Sequence, residues 1–150
     1  RALIVRPHNF YGPRGGYDHV IPDFSARIRA RVDPFPIYGA DETRTFCHIA
    51  DAVEAIGGLM ESKKTDGQPI PTVHIGADEE ITMKELAEKL FSIAGWHPTR
   101  CDIKSAPAGS VKRRRADISK IRNLTGWAPA TSLAQGLERT YEWYSAHPKV

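Results

Sequence analysis

Near its start the chain carries Ala2-Leu3-Ile4-Val5, a short apolar run with two β-branched residues. Such a run is typical of a strand that is buried on both faces, as in a parallel sheet. A loop dense in turn formers follows it, containing Pro7, Gly12, Pro13, Gly15 and Gly16. Because a domain rarely begins inside its own sheet, we expect this chain to be the back part of a longer protein.

Helical and strand patterns alternate along the rest of the chain. Five helices are predicted, beginning near Asp18, Asp51, Thr82, Asp117 and Ser132. Two of them open on capping boxes, Thr82 with Glu85 and Ser132 with Gln135. Short strands are predicted at 36–39, 45–48, 72–76 and 99–103, and a polar connection at 63–71. This alternation predicts the α/β class.

One predicted helix has a clear apolar stripe. Val53, Ile56 and Met60 follow Asp51 at helical spacing, and with Ile49 just before it they mark one apolar stripe. Because apolar residues at this spacing share one face of a helix, we expect these four to be the buried face.

Composition narrows the class of protein. The chain has 150 residues, 41% hydrophobic and 26% charged, which is typical of a globular domain with one core. The two cysteines, Cys47 and Cys101, are too few for a disulfide framework or a four-ligand zinc site, so we expect no metal and a reducing, cytoplasmic location. No apolar run is long enough to span a membrane. The basic run 112–115 lacks interleaved aromatic residues, and we expect no nucleic-acid partner.

Three motifs in a fixed order carry a family resemblance. The first is Arg6-Pro7-His8-Asn9-Phe10-Tyr11-Gly12-Pro13. The second is Ile37-Tyr38-Gly39 followed by Arg44-Thr45-Phe46-Cys47-His48-Ile49-Ala50-Asp51. The third runs from Arg114-Arg115-Ala116-Asp117 through Gly126-Trp127-Ala128-Pro129 to Trp143-Tyr144. Together they resemble the second half of the extended short-chain dehydrogenase/reductase family, the NAD-dependent nucleotide-sugar epimerases and dehydratases.

Two further motifs of that family are absent from the chain. The sequence contains no G-x-x-G-x-x-G dinucleotide fingerprint, and none of its five tyrosines is followed four residues later by lysine. The resemblance therefore implies a single C-terminal, nucleotide-sugar-binding domain over residues 1–150, with leftover strands of a Rossmann sheet and without the NAD-binding domain. We expect the chain alone to bind NAD weakly and to turn over no nucleotide sugar.

The resemblance implies that Asn9, Arg44 and Arg114 contact the diphosphate of the nucleotide sugar. Guanidinium groups suit this role because their planar forks match phosphate oxygens bidentately. The alternatives are an Asx turn for Asn9, a solvated loop arginine for Arg44 and an exposed basic run for Arg114. Either neighbour of Arg114 could also take its role. Thr45 stands where the family has aspartate.

Other residues are placed around the ligand by the same resemblance. Ile37 and Tyr38 would flank the nucleotide base, although a half-buried strand explains them equally well. The segment Tyr11-Gly12-Pro13 would line the nicotinamide end of the pocket, although alone it is only a turn. His19 is a weak catalytic candidate, since imidazole titrates near neutrality and suits proton transfer. Ordinary helix capping is its alternative.

Two functions stay open at this point. The first is the nucleotide-sugar-binding part of an NAD-dependent epimerase or dehydratase, and the second is a non-catalytic module that binds a sugar nucleotide or completes a separate cofactor-binding chain. In either case the strand at 2–5 would lack its usual neighbours, so we expect self-association or a missing cofactor-binding half as partner.

Overall fold

The computed structural model describes residues 2–63 and 72–148, and it has the mixed α/β architecture that the sequence predicts. The helices are α1 (Val20–Arg29), α2 (Ile49–Glu61), α3 (Met83–Ala94), α4 (Ser119–Thr125) and α5 (Leu133–Ala146). The strands are β1 (Ile4–Pro7), β2 (Phe10–Tyr11), β3 (Phe35–Tyr38), β4 (Thr43–Thr45), β5 (Cys47–His48), β6 (Thr72–Ile75), β7 (Glu80–Thr82), β8 (Cys101–Lys104) and β9 (Arg113–Arg114). The connection predicted at 63–71 lies almost wholly outside the described residues.

The strands form four small sheets with mostly parallel pairing. Strand β1 pairs with β6, β2 with β5 and β3 with β8, each in parallel. In the fourth sheet β4 lies between β7, which is antiparallel to it, and β9, which is parallel. Parallel neighbours that lie far apart in the sequence are the mark of α/β connections.

Local capping signals predict the starts of α3, α4 and α5, but not those of α1 and α2; α2 begins at Ile49, and its N-cap is His48, whose ring accepts from the backbone N–H of Ala50. Both capping boxes form, at the start of α3 and of α5, with each hydroxyl accepting from the N3 backbone N–H. Asp117 accepts from the backbone N–H of Ser119, in the first turn of α4. Asp18 does not cap α1, because that helix begins one residue later than expected, with His19 at the N-cap position and no side-chain bond there.

The described residues contain two hydrophobic clusters where the composition suggested one core. The first joins α1, α3 and α5 with β3, and includes the edge-to-face rings of Phe24, Phe35 and Phe91. The second joins α2, α4 and β6. The chain passes from one cluster to the other between Phe46 and Cys47. This crossing divides the predicted strand 45–48 into the separate strands β4 and β5.

The expected buried face of α2 is wrong. Its buried residues are Asp51, Ala52, Ala55 and Leu59. Val53 is 62% exposed, and Ile49 and Met60 are also exposed. The small residues Ala52 and Ala55 allow α2 to pack closely against α4 and β5, with Ile49, Val53 and Met60 exposed.

Strand β1 also differs from its expected burial. Ile4 is 50% exposed, and its neighbours in the strand are only partly buried or exposed. Among the described residues β1 has a single strand neighbour, β6, so one edge and much of its surface face outward. None of the helices in the described residues is long and apolar enough to cross a membrane.

Candidate functional site

Two of the expected phosphate-binding arginines lie opposite each other. Strand β4 carries Arg44 and the parallel strand β9 carries Arg114, and the two residues are partners in the strand register. Register partners in a parallel pair point to the same face of a sheet. The fold therefore places two arginines that are 70 positions apart in the sequence on neighbouring strands, side by side.

Arg44 is not the solvated loop arginine of the alternative interpretation. Its side chain is only 14% exposed, and its Nη2 atom lies 2.8 Å from a carboxylate oxygen of Glu42, which is 13% exposed. Its Nη1 atom donates to the carbonyl of Thr43. Ser110 completes the group by donating to Glu42 and accepting from Arg44. These contacts hold the guanidinium of Arg44 in one orientation.

The neighbours of Arg114 are engaged elsewhere. Arg113 forms a bidentate ion pair with Glu80, with N–O distances of 2.7 and 2.8 Å. Hydrogen bonds from Arg113 and Thr43 lower the pKa of Glu80 to about 2. Arg115 lies 3.8 Å from Asp78, which also pairs with Arg122. Arg114 is exposed and is the member of this run that faces Arg44.

Asn9 links the loop after β1 to the strand that carries Arg44. Its side-chain amide nitrogen donates to the carbonyl of Thr45 over 2.8 Å, a contact across 36 positions that a local Asx turn does not explain. Its φ of 44° is in the left-handed region, which asparagine tolerates better than most residues. An amide nitrogen has two hydrogens, so a second donor remains on Asn9.

A small pocket lies beside Asn9. It encloses about 80 Å³ and is lined by Asn9, Gly12, His19, Pro22 and Phe46, among others. Ligand sites usually begin at roughly 300 Å³, so this pocket could hold only one end of a nucleotide sugar. His19 occupies the N-cap position of α1, as its alternative interpretation has it, but its exposed side chain makes no capping bond.

Tyr11 lines this pocket and is at the same time a residue of the core. Its ring packs edge-to-face against Phe46 and His48, and it is 7% exposed. Burial raises the pKa of its phenol well above the usual range, with Cys47 and Asp51 adding to the rise. A phenol with a raised pKa is a poor base at neutral pH, so Tyr11 does not replace the missing tyrosine of the family.

The residues present provide little of a dinucleotide site. Gly12 has a φ of 151°, and a Cβ there would lie 2.5 Å from Ile49, so only glycine fits. Pro13 is exposed. These two could border one side of a nicotinamide ring, but no glycine-rich loop is present to hold the diphosphate of NAD. Within residues 2–63 and 72–148 no group of three or more His, Cys, Asp or Glu could hold a metal ion.

The two residues expected beside the base, Ile37 and Tyr38, differ in exposure. The Ile37 side chain is 1% exposed and lies in the first hydrophobic cluster, so it cannot cover a base. Its alternating position on β3 explains this, because neighbouring residues of a strand point to opposite faces. Tyr38 is 50% exposed, and the Lys104 amine lies 5.8 Å from its ring centroid. Of these two residues, only Tyr38 has a side chain that a base could contact.

Sequence patterns missed the partners of Arg44. Glu42 and Ser110 hold its guanidinium, yet neither belongs to a motif that signalled this contact. Glu42 lies two residues from Arg44, and this short separation was the one available signal. Ser110 is 66 positions away, so only the fold could reveal it.

The chain is similar to known nucleotide-sugar enzymes both in sequence and in structure. The family model described as GDP-mannose 4,6 dehydratase matches residues 1–140. GDP-mannose 3,5-epimerase from Arabidopsis thaliana is 33% identical over 93% of this chain and 37% of its own length. UDP-glucose 4-epimerase from Thermotoga maritima, solved with UDP-glucose, superposes with a TM-score of 0.85 at 26% identity, over 98% of this chain and 47% of that one. dTDP-glucose 4,6-dehydratase from Streptomyces venezuelae, solved with NAD, has a TM-score of 0.85 at 28% identity, over 97% and 44%.

These matches agree in extent as well as in kind. The chain spans less than half the length of these relatives, and the matching part is their C-terminal portion. The match to the family model covers most of this chain. The chain therefore belongs to the GDP-mannose 4,6 dehydratase family, among the NAD-dependent nucleotide-sugar epimerases and dehydratases of the extended short-chain dehydrogenase/reductases.

Proposed function

We propose that this chain is the nucleotide-sugar-binding part of an NAD-dependent epimerase or dehydratase. The observation that carries the proposal is the register of Arg44 opposite Arg114. Asn9 supports it, because its amide is bonded to the residue that follows Arg44. A diphosphate between the arginines would receive charge-assisted hydrogen bonds from both, and from the free amide hydrogen of Asn9.

In this proposal the chain binds and orients the substrate. Tyr38 covers one face of the base, and the pocket with Gly12 and His19 receives the sugar. His19 is the candidate acid or base there, since its imidazole is exposed at the pocket. NAD would supply the hydride chemistry; Gly12 and Pro13 would border its nicotinamide ring, and the dinucleotide fingerprint and the Tyr-x-x-x-Lys pair would have to come from outside residues 1–150. Holding a ligand in one orientation is itself a large part of such catalysis.

A second function is favoured by one observation. Ile4, Ile49 and Val53 are exposed apolar side chains on β1 and α2. A chain with such a surface is suited to complete a separate cofactor-binding chain. In that case the protein is a non-catalytic, sugar-nucleotide-binding module until its partner joins. We infer a cytoplasmic location for either function, because both cysteines are free.

Calorimetry of the purified chain with UDP-, GDP- and dTDP-sugars tests the proposal. We expect at least one of them to bind, and inorganic sulfate to bind far more weakly at the same ionic strength. Incubation of each sugar with NAD and the chain should give no product, because the dinucleotide fingerprint and the Tyr-x-x-x-Lys pair are absent. Failure of every sugar to bind would refute the binding function, and product formation would refute the expected inactivity.

A further inference from the structure

Two histidines meet at the carboxyl ends of the parallel strands β1 and β6. The Nε2 atom of His8 lies 2.6 Å from the Nδ1 atom of His74, with ring centroids 4.9 Å apart. The backbone N–H of His8 also donates to the carbonyl of Ile75, which fixes the start of the loop. A hydrogen bond between two imidazole nitrogens uses one proton, so one ring donates and the other accepts.

This histidine pair lies beside the candidate diphosphate site. His8 directly precedes Asn9 in the chain. Burial lowers the pKa of His8, and the charges of His74 and Arg114 lower it further. Because a nearby anion favours the charged form of an imidazole, a diphosphate held by Arg114 would raise the pKa of His8.

Few other charged groups of the described chain face the pair. Arg6 is the register partner of His74. Hydrogen bonds from Ser119 lower the pKa of Asp117, and His74 and Arg115 lower it further, which places that carboxylate near His74. The segment before α4 packs closely here, since a Cβ on Gly76 would lie 2.6 Å from the Cβ of Ala116 and 3.2 Å from that of His8. At His8, therefore, burial and the charge of Arg114 oppose protonation until an anion binds, whereas among the described residues Asp117 is the one carboxylate placed near His74.

We propose that the His8–His74 pair takes up a proton when a nucleotide sugar binds, so that the affinity of this chain for its diphosphate rises as the pH falls. The proton comes from solvent and adds to a ring nitrogen that faces away from the other histidine, so that ring becomes the doubly protonated donor and the hydrogen bond between the histidines is kept. The proposal rests on the proposed function, because the anion at Arg114 is the diphosphate of the substrate. By linkage, a ligand that raises a pKa binds more tightly below that pKa.

The test is calorimetry with UDP-glucose and GDP-mannose between pH 5.5 and 8, at constant ionic strength, on chain shown by circular dichroism to be folded at each pH. The diphosphate of these sugars is a diester, so its own charge stays constant over this range. We expect the affinity to rise up to about tenfold as the pH falls, because one pKa unit corresponds to a tenfold change. The binding enthalpy is also measured near pH 6.5 in buffers of different ionisation enthalpy, since its dependence on the buffer gives the number of protons taken up. We expect a fraction of one proton.

Matched variants separate the pair from the other histidines. His8→Gln keeps an amide that can bond to His74 but cannot titrate, and should bind with nearly constant affinity and no proton uptake. His97→Asn changes an exposed histidine that packs beside Phe91, and should behave like the wild type. If His8→Gln fails to fold, the same measurement is made on His74→Gln. This variant removes the Nδ1 atom of His74 from the pair and should reduce the proton uptake on binding.

Two results would overturn the proposal. Tight binding with a flat pH profile, or full proton uptake in the His8→Gln variant, would refute the role of the pair and leave the diphosphate site intact. No binding of either sugar at any pH would refute the proposed function, and this proposal with it.

Discussion

At the scale of single residues, sequence motifs predict which residues lie opposite each other. They are less informative about the other side chains that each of these residues contacts. Arg44 and Arg114 lie opposite each other, as a shared phosphate site requires. The motif could not indicate that Glu42 already pairs with Arg44, because the ion pair depends on a turn geometry that no pattern encodes. The motif also placed Ile37 beside the base, which stays a prediction; strand alternation buries its side chain, so its backbone groups alone could reach a base. A diphosphate must therefore compete with Glu42 for one of its two arginines.

The first prediction concerns these arginines. Arg44→Ala or Arg114→Ala should weaken nucleotide-sugar binding by about 1.5–3 kcal/mol, the usual scale of hydrogen bonds to charged groups. Arg114→Ala is the cleaner change, since Arg44→Ala also leaves the carboxylate of Glu42 without its partner. Arg29→Ala, on the exposed end of α1, is the control and should not change the dissociation constant. Equal affinity of all three variants by calorimetry would remove both arginines from the site.

The second prediction concerns the cysteines. Cys47 is fully buried, and burial, with Asp51 nearby, raises the pKa of its thiol to about 12. Cys101 is partly exposed, and burial raises its pKa as well. Since the thiolate is the reactive form, we expect one thiol to react with a disulfide reagent at pH 8 and the second only after unfolding in urea. The Cys101→Ser variant should show no native reaction, and a rapid one would contradict the burial of Cys47.

At the scale of elements, the helix starts that depend on adjacent residues were predictable, and the faces were not. The capping boxes of α3 and α5 form because their partners are three residues apart. The apolar stripe of α2 has helical spacing, but periodicity identifies an apolar face without identifying a neighbour for it. The side of α2 that packs in this chain carries Ala52 and Ala55 with the buried carboxylate of Asp51.

The third prediction concerns that carboxylate. Asp51 accepts from both the backbone N–H and the hydroxyl of Thr131, at 3.0 and 2.9 Å, and so ties α2 to the segment before α5. Asp51→Ala leaves that N–H without its acceptor and should lower the free energy of unfolding by about 1.5–3 kcal/mol. Glu54→Ala, an exposed change on the same helix, is the control for urea denaturation. A loss no larger than that of the control would show that this link adds little.

At the scale of the whole molecule, local patterns could not reveal that the buried residues divide into two clusters. Phe46 and Cys47 are neighbours in the sequence, yet they belong to different clusters. Composition counts apolar residues without showing where the chain crosses between layers. The same limit applies to β1, whose residues are apolar enough for a buried strand but have only β6 beside them in the described part of the chain.

The fourth prediction concerns the pH dependence of stability. Burial lowers the pKa of both His8 and His48 below the ordinary value of 6.5. The unfolded chain then binds more protons than the folded one, so stability is full above about pH 6.5 and declines as the pH falls. We expect the urea concentration at the unfolding midpoint to decrease as the pH is lowered from 7.5 to 5.5. Glu80, with its pKa near 2, should add a separate loss below about pH 4.5 that Glu80→Gln reduces. A midpoint that rises on acidification to pH 5.5 would contradict the sign.

The last prediction concerns the outward surface of β1 and α2. Ile4, Ile49 and Val53 are exposed there, and among the described residues one edge of β1 has no strand partner. Exposed apolar side chains and an open strand edge each recruit other chains. We therefore expect the isolated chain to self-associate in light scattering, and Val53→Glu to shift it towards monomer. Ile103→Glu, an equally exposed apolar position on β8, is the control and should leave the association unchanged. A monodisperse wild-type monomer whose residues 4–7 resist hydrogen exchange would mean that the chain covers this edge itself, and that no second chain is required to protect it.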